Sequence, residues 1–259
     1  GDGNSQPLTY IDVVGHEFSH GVTEFSAGLI YESESGALNE SFSDIFGSAI
    51  EIYALDSNAS WKIGRGNFSL RDMSNPNAFQ NPDTYGGLNW TNTKNCIPSG
   101  GNDQCGVHNN SGVQNYWYYL LSDGGAGKND IGNTFDVKGI GYIKASKIAY
   151  RNLTNYLSPS SDYNDARKGA IQSAIDLYGF DSPEFIATID AWYAVGVGKK
   201  YTAIPTPDFY SEKLVCDLNT NMQFVNTSGT ATSYLWNFGD GTTSTLQNPT
   251  VTYATGGVY

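Results

Sequence analysis

The chain has only three histidines and three cysteines in 259 residues, and 14 basic side chains against 26 acidic ones. No run or stripe of Lys and Arg occurs, so a formal charge of −12 argues against nucleic acid and anionic membranes as partners. No apolar stretch approaches the roughly 18 residues that a membrane span needs. No CxxC pair exists, which makes a cysteine zinc site a weak reading. Gly1 is not preceded by Met and no signal-like apolar segment follows it, so any targeting sequence is expected upstream or already removed. What the chain does have is 39% apolar and 14% aromatic residues, enough for one large core and a small one. A monomer is expected.

Cys96 and Cys105 bracket the short loop "CIPSGGNDQC", while Cys216 stands alone. Two Cys around a tight Gly- and Pro-containing loop read best as a disulfide, and therefore as an oxidising, extracellular setting. Closing so short a loop would stabilise the fold by roughly 2–3 kcal/mol on the chain-entropy account. Helical spacing runs from Ile11 to about Phe25, and again from Leu38 through "NESFSDIFGSAIEIY". Residues 57–106 are rich in Gly, Asn, Asp and Pro, which predicts loop. Helical patterns resume at "GVQNYWYYLLS", "VKGIGYIKASKIAYRNLTNYL", "SDYNDARKGAIQSAIDLYG" and "SPEFIATIDAWYAVG", a bundle closing at Gly198. Residues 1–199 thus form a mainly α lobe, and 200–210, with two prolines, a linker. In 211–259 the texture changes to period-two segments, "MQFVNTS" and "TSYLWNF", around the turn "GDGTTS". That predicts a small all-β module whose end, "VTYATGGVY", stops as if another strand should follow.

Chemistry concentrates in "VVGHEFSHGVTEF". On a helix His16 and His20 share a face and can grip one metal, with Glu17 beside them. Two partly exposed histidines on an ordinary helix are the alternative that the pentapeptide leaves open. The next helix shifts the balance. Glu40 can complete a His₂Glu zinc set with water in the fourth position, and Asp44, one turn on, can orient a ligand imidazole.

The stretch "HEFSHGVTEFSAGLIYESESGALNESFSDIFGSA" closely resembles the catalytic core of the thermolysin-like metallopeptidases, as do "GVHNNSGVQNYWYYL" and "AWYAVGVG". The resemblance covers about residues 1–199 and implies a helical zincin-type lobe that hydrolyses peptide bonds with a zinc-activated water. It implies that His16, His20 and Glu40 hold Zn²⁺ and that Glu17 is the general base. It makes Tyr31 and His108 the transition-state donors, with Asp103 orienting His108 and Arg71 holding the carbonyl after the scissile bond. Val13, Ile63 and Leu70 are the expected pocket for a bulky apolar residue. The family's N-terminal β-rich lobe, with its substrate-contacting strand, is expected to be missing here. The family also implies calcium near Asp12 and Glu51, but Ser60, Lys62 and Arg65 stand where further acids would be, and a second calcium-binding loop is expected to be deleted between Asn67 and Leu70. Two carboxylates make a poor calcium site. The expectation is that Lys62, helped by Arg65, bridges Asp12 and Glu51, with a reduced Ca²⁺ site using Asp56 as the rival.

The tail "SGTATSYLWNFGDGTTSTLQNPTVTYATGGVY" resembles a PKD-type immunoglobulin-like sandwich, incomplete at its C-terminus, in which Trp236 and Tyr234 are expected in the core. "GGAGKN" lacks the Ser/Thr of a P-loop and follows a helix. The resulting expectation is a secreted zinc metalloendopeptidase acting on proteins or peptides. The competing class is an inert secreted binding or adhesion protein whose β module carries the function. Metal-dependent hydrolysis of something other than peptides is disfavoured by Arg71, Asp103 and His108.

Overall fold

A computed structural model describes residues 9–56, 59–65, 68–203, 207–211, 218–228 and 231–259; Asn67 and Cys216 lie outside the described residues, as do parts of the linker. The chain divides into two units, Gly1–Tyr201 and Thr202–Tyr259. No helix among the described residues is long and apolar enough to cross a membrane.

The first unit is helical. α1 (Ile11–Glu24) and α2 (Ser33–Leu55) lie against each other; α4 (Gly112–Asp123), α5 (Tyr142–Asn155) and α6 (Tyr163–Tyr178) pack on α2, and α7 (Pro183–Ala194) packs on α4 and α6. The core runs through Leu38, Phe42 and Ile45 of α2, Val113, Trp117 and Leu121 of α4, Ile148 and Leu153 of α5, and Trp192 of α7. Each such side chain contributes about 1.5–3 kcal/mol by leaving water. Trp117 and Trp192 stack with centroids 4.8 Å apart, fixing α4 on α7. Ser182 caps α7 by accepting from Phe185 N, and Pro183 follows at the first helical position.

α2 begins five residues before the predicted Leu38. Its polar first turn is anchored inward, because Glu34 accepts from the Tyr85 hydroxyl and from Tyr163 N. The predicted helix over 137–157 is, by contrast, shorter than expected. Val137 ends a strand, and Gly141, at φ 82°, stands immediately before α5. The antiparallel hairpin β3 (Gly125–Lys128) and β4 (Thr134–Val137) has no counterpart among the elements expected from the sequence. Within the loop-rich stretch, β1 (Lys62–Ile63) pairs antiparallel with β2 (Arg71–Asp72), Ile63 opposite Arg71.

The second unit contains a three-stranded antiparallel sheet in the order β5 (Phe209–Ser211), β6 (Asn221–Asn226), β9 (Thr250–Thr252). Beside these runs the short ladder β7 (Trp236–Asn237) with β8 (Thr243–Ser244). Its core is Phe238, Val251 and Tyr253, with Met222, Phe224 and Trp236 against it. Trp236 Nε1 donates to Leu246 O at 2.8 Å, so the indole is both packed and satisfied.

Candidate metal centre

α1 and α2 approach closely because small residues meet at the crossing. A Cβ on Gly15 would lie 3.0 Å from the Gly47 Cα, and one on Gly47 would collide with the Asp12 carbonyl. This approach sets His16 and His20 against Glu40. Their Nε2 atoms lie 3.1 Å apart, and the carboxylate of Glu40 is 3.6 Å from His16 Nε2 and 3.5 Å from His20 Nε2. The outer ring nitrogens are occupied: His16 Nδ1 meets Asp44 Oδ1 and His20 Nδ1 meets Asn39 Oδ1, both at 2.8 Å. Asn39 Nδ2 donates to Leu29 O at 3.1 Å, so its Oδ1 is the atom turned to the imidazole and accepts from Nδ1–H. Two Nε2 lone pairs therefore converge on one point, together with Glu40 Oε2, which is buried and has no hydrogen-bond partner. Two imidazole nitrogens and a carboxylate oxygen free of hydrogen bonds are a donor set for a divalent cation, and two nitrogens with one oxygen suit zinc. Asn39 was missed in the sequence: its role depends on the turn that presents Leu29 O, which no motif spacing reveals.

Behind the ligands lies a charge network. Arg71 binds Asp44 through Nε to Oδ2 and Nη2 to Oδ1, each 2.7 Å, and Asn115 Nδ2 adds a third bond at 2.7 Å. Burial would raise the Asp44 pKa, but the Arg71 guanidinium and His16 hold it well below the usual carboxylate range. Burial, the largest single cause, pulls His16 down, yet the hydrogen bond and charge of Asp44 together with the charge of Glu40 outweigh it and the net shift is upward. Asp44 thus stays anionic, orienting one metal-facing imidazole and neutralising Arg71.

The remaining expected residues face the same cleft. The Tyr31 hydroxyl donates to Glu40 Oε1 and lies 3.1 Å from His108 Nε2, itself 3.4 Å from Glu40 Oε1. Burial first, then Glu40, pushes the Tyr31 pKa far up, so the phenol keeps its proton. Asp103 Oδ1 lies 2.5 Å from His108 Nδ1. A cavity of about 150 Å³ is lined by Val13, His16, Glu17, Glu40, Ile63, Leu70, Arg71 and His108. The structure thus brings the predicted pocket and the predicted base to one place. A cavity of about 280 Å³ in the second unit lies beside Phe209, Tyr234 and Trp236, and among the described residues Asp208 is its only acidic or basic lining residue.

One expectation fails. Lys62 is exposed on β1 and forms no ion pair among the described residues. Arg65 instead binds Glu51 Oε1 through Nε at 2.8 Å and Nη2 at 2.6 Å. Asp12 is served separately, its Oδ2 accepting from Gly64 N at 2.5 Å, while Oδ1 is buried without a partner. The reason is geometric: Lys62 stands on the outer face of a two-residue ladder whose next residue, Ile63, points inward. The Cys96–Cys105 bridge, in contrast, is formed.

Fold and site together define a metallopeptidase-type centre: two histidines one helical turn apart, with a glutamate from the next helix. The chain belongs to the thermolysin metallopeptidase family, whose alpha-helical domain matches residues 27–197 and whose catalytic domain matches residues 1–24. A PKD domain matches residues 202–259. Relatives include the thermostable neutral protease NprT of Geobacillus stearothermophilus (42% identical over 208 residues, 76% of this chain and 35% of that protein). Bacillolysin of Bacillus cereus is 43% identical over the same share of this chain and 34% of its own. Among solved structures, the precursor of protealysin, a metalloproteinase from Serratia proteamaculans, aligns with a TM-score of 0.55 and 31% identity over 74% of this chain and 59% of that one. The chain spans about a third of the length of these curated relatives.

Proposed function

We propose that this chain carries the zinc-binding and helical part of a secreted metalloendopeptidase that hydrolyses peptide bonds, preferentially before bulky apolar residues. The observation that carries the reading is the convergence of His16 Nε2, His20 Nε2 and Glu40 Oε2, which makes no hydrogen bond and has the Arg71 guanidinium 3.5 Å away, at the edge of the cavity that Glu17 also lines. His16, His20 and Glu40 would hold the zinc, which when bound polarises a carbonyl and acidifies water. Glu17, exposed in the cleft, takes the proton of the attacking water and passes it to the leaving amide nitrogen. The Tyr31 hydroxyl and His108 Nε2 donate to the oxygen that gains charge. Arg71, already neutralised by Asp44, binds the carbonyl of the residue after the scissile bond. Val13, Ile63 and Leu70 receive that residue's side chain. The disulfide supports secretion.

Substrate contacts beyond these are assigned to a lobe of the kind that the family resemblance implies beside the zinc helix. An exposed apolar row on α1 (Val14, Phe18, Val22), continued by Phe25, supports that assignment. The metal assignment is tested on the full-length parent protein by elemental analysis. Wild type is expected to hold about one zinc per chain and Glu40→Ala far less. Undiminished zinc in the variant would remove Glu40 from the ligand set.

A further inference from the structure

His108 stands apart from the other cleft residues in how it is held. Its side chain is 52% exposed, so hydrogen bonds orient the imidazole more than packing does. The main grip is Asp103. Its Oδ1 takes the imidazole Nδ1, and its Oδ2 accepts from His108 N at 2.9 Å and Asn109 N at 3.3 Å. That grip requires an unusual backbone. α3 (Asp103–Asn110) opens with four consecutive left-handed residues, Asp103, Gln104, Cys105 and Gly106, at φ 54°, 48°, 67° and 86°. Left-handed helix costs about 1–2 kcal/mol per residue for residues with a Cβ, and normally appears one residue at a time. Three of these four carry a Cβ, so the turn must be held from outside.

Several contacts share the task. Gln104 N donates to Ser99 O at 2.9 Å and Cys105 N to Asn102 Oδ1 at 3.1 Å. Gly106 fits beneath Thr91, whose Cβ would lie 2.7 Å from an added one. The single covalent tie is at Cys105, fully buried and bonded to Cys96 with their Cα atoms 6.0 Å apart. Cys105 sits between Asp103 and His108, inside the segment whose conformation decides whether the carboxylate reaches the ring.

We propose that the Cys96–Cys105 bridge is a positioning element for His108: it locks the left-handed turn and so keeps Asp103 on the imidazole. The inference rests on the reading of His108 as a transition-state donor. Without the bridge the turn relaxes towards right-handed backbone, Asp103 leaves Nδ1, and the half-exposed ring turns to solvent. Substrate binding by Val13, Ile63, Leu70 and Arg71 stands on other elements and persists. The loss therefore falls on kcat and not on KM.

The test uses full-length, zinc-loaded enzyme carrying Cys96→Ser with Cys105→Ser, beside Asp103→Asn, the combination of all three, and His108→Ala. The bridge-less enzyme is expected to keep its zinc and to lose about 10- to 100-fold in kcat with KM within about twofold. Asp103→Asn should lower kcat in the bridged enzyme and add little in the bridge-less one, because both act through one ring. A bridge-less kcat near wild type, or a full Asp103→Asn loss repeated without the bridge, overturns the proposal. If the serine variant does not fold, the folded enzyme is reduced with a water-soluble phosphine, which goes to its oxide with water while both sulfurs leave as thiols. The same fall in kcat, recovered on reoxidation, supports the proposal, and an unchanged kcat with both thiols titratable defeats it. Full activity in His108→Ala would remove the role of His108 itself. A dead His108→Ala beside a fully active bridge-less enzyme removes only the bridge.

Discussion

Asn39 shows how much of a metal centre is decided by single side chains outside the motif. Its amide, fixed by Leu29 O, holds His20 by Nδ1 and leaves Nε2 facing Glu40. Partners of this kind typically account for a 10- to 100-fold effect on metal affinity. Asn39→Ala is accordingly expected to weaken zinc binding by about that factor, read by competition with a chromophoric chelator. An unchanged affinity would mean that the α1–α2 packing alone orients the ring. The residues proposed to hold the metal were legible because their spacing follows from the helix: His16 and His20 one turn apart, then Glu40 and Asp44 one turn apart on the next helix. Asn39 was not, since its contact is set by the Leu29 carbonyl, delivered by a turn after α1.

At the scale of elements, periodicity gave α4, α6 and α7 closely, since each has an apolar face against one core. It failed where glycine and local polar contacts decide. The β3–β4 hairpin contains Gly125 and Gly127, which carry no pattern, although buried Phe135 and Val137 alternate with exposed neighbours. The left-handed opening of α3 has no periodic signature either. The β1–β2 hairpin bears on calcium. With the Arg65 guanidinium on Glu51 and Gly64 N on Asp12, we propose that this corner is held by protein groups in place of a cation. A buried carboxylate paired in this way has less oxygen to offer to a metal that wants six to eight ligands. Thermal unfolding of the zinc-saturated protein should therefore be the same with and without millimolar calcium. A rise of several degrees would hand the corner, including the partnerless Asp12 Oδ1, to a calcium ion.

For the whole molecule, the sequence separated a helical lobe from a β module because the hydrophobic period changes from helical to two near the prolines. The two cores that result share no residues. The cleft with converging ligands lies wholly within the helical unit, so the chemistry proposed for the protein can be tested there without reference to the β unit. The most direct test of the central claim is Glu17→Gln in the full-length protein, assayed for zinc and for cleavage of a casein-like substrate. Glu17 lines the cavity and is not one of the converging ligand atoms, so the amide should leave zinc content near one per chain while kcat falls by about 100-fold or more. Hydrolysis near the wild-type rate in a zinc-replete Glu17→Gln protein would contradict the account.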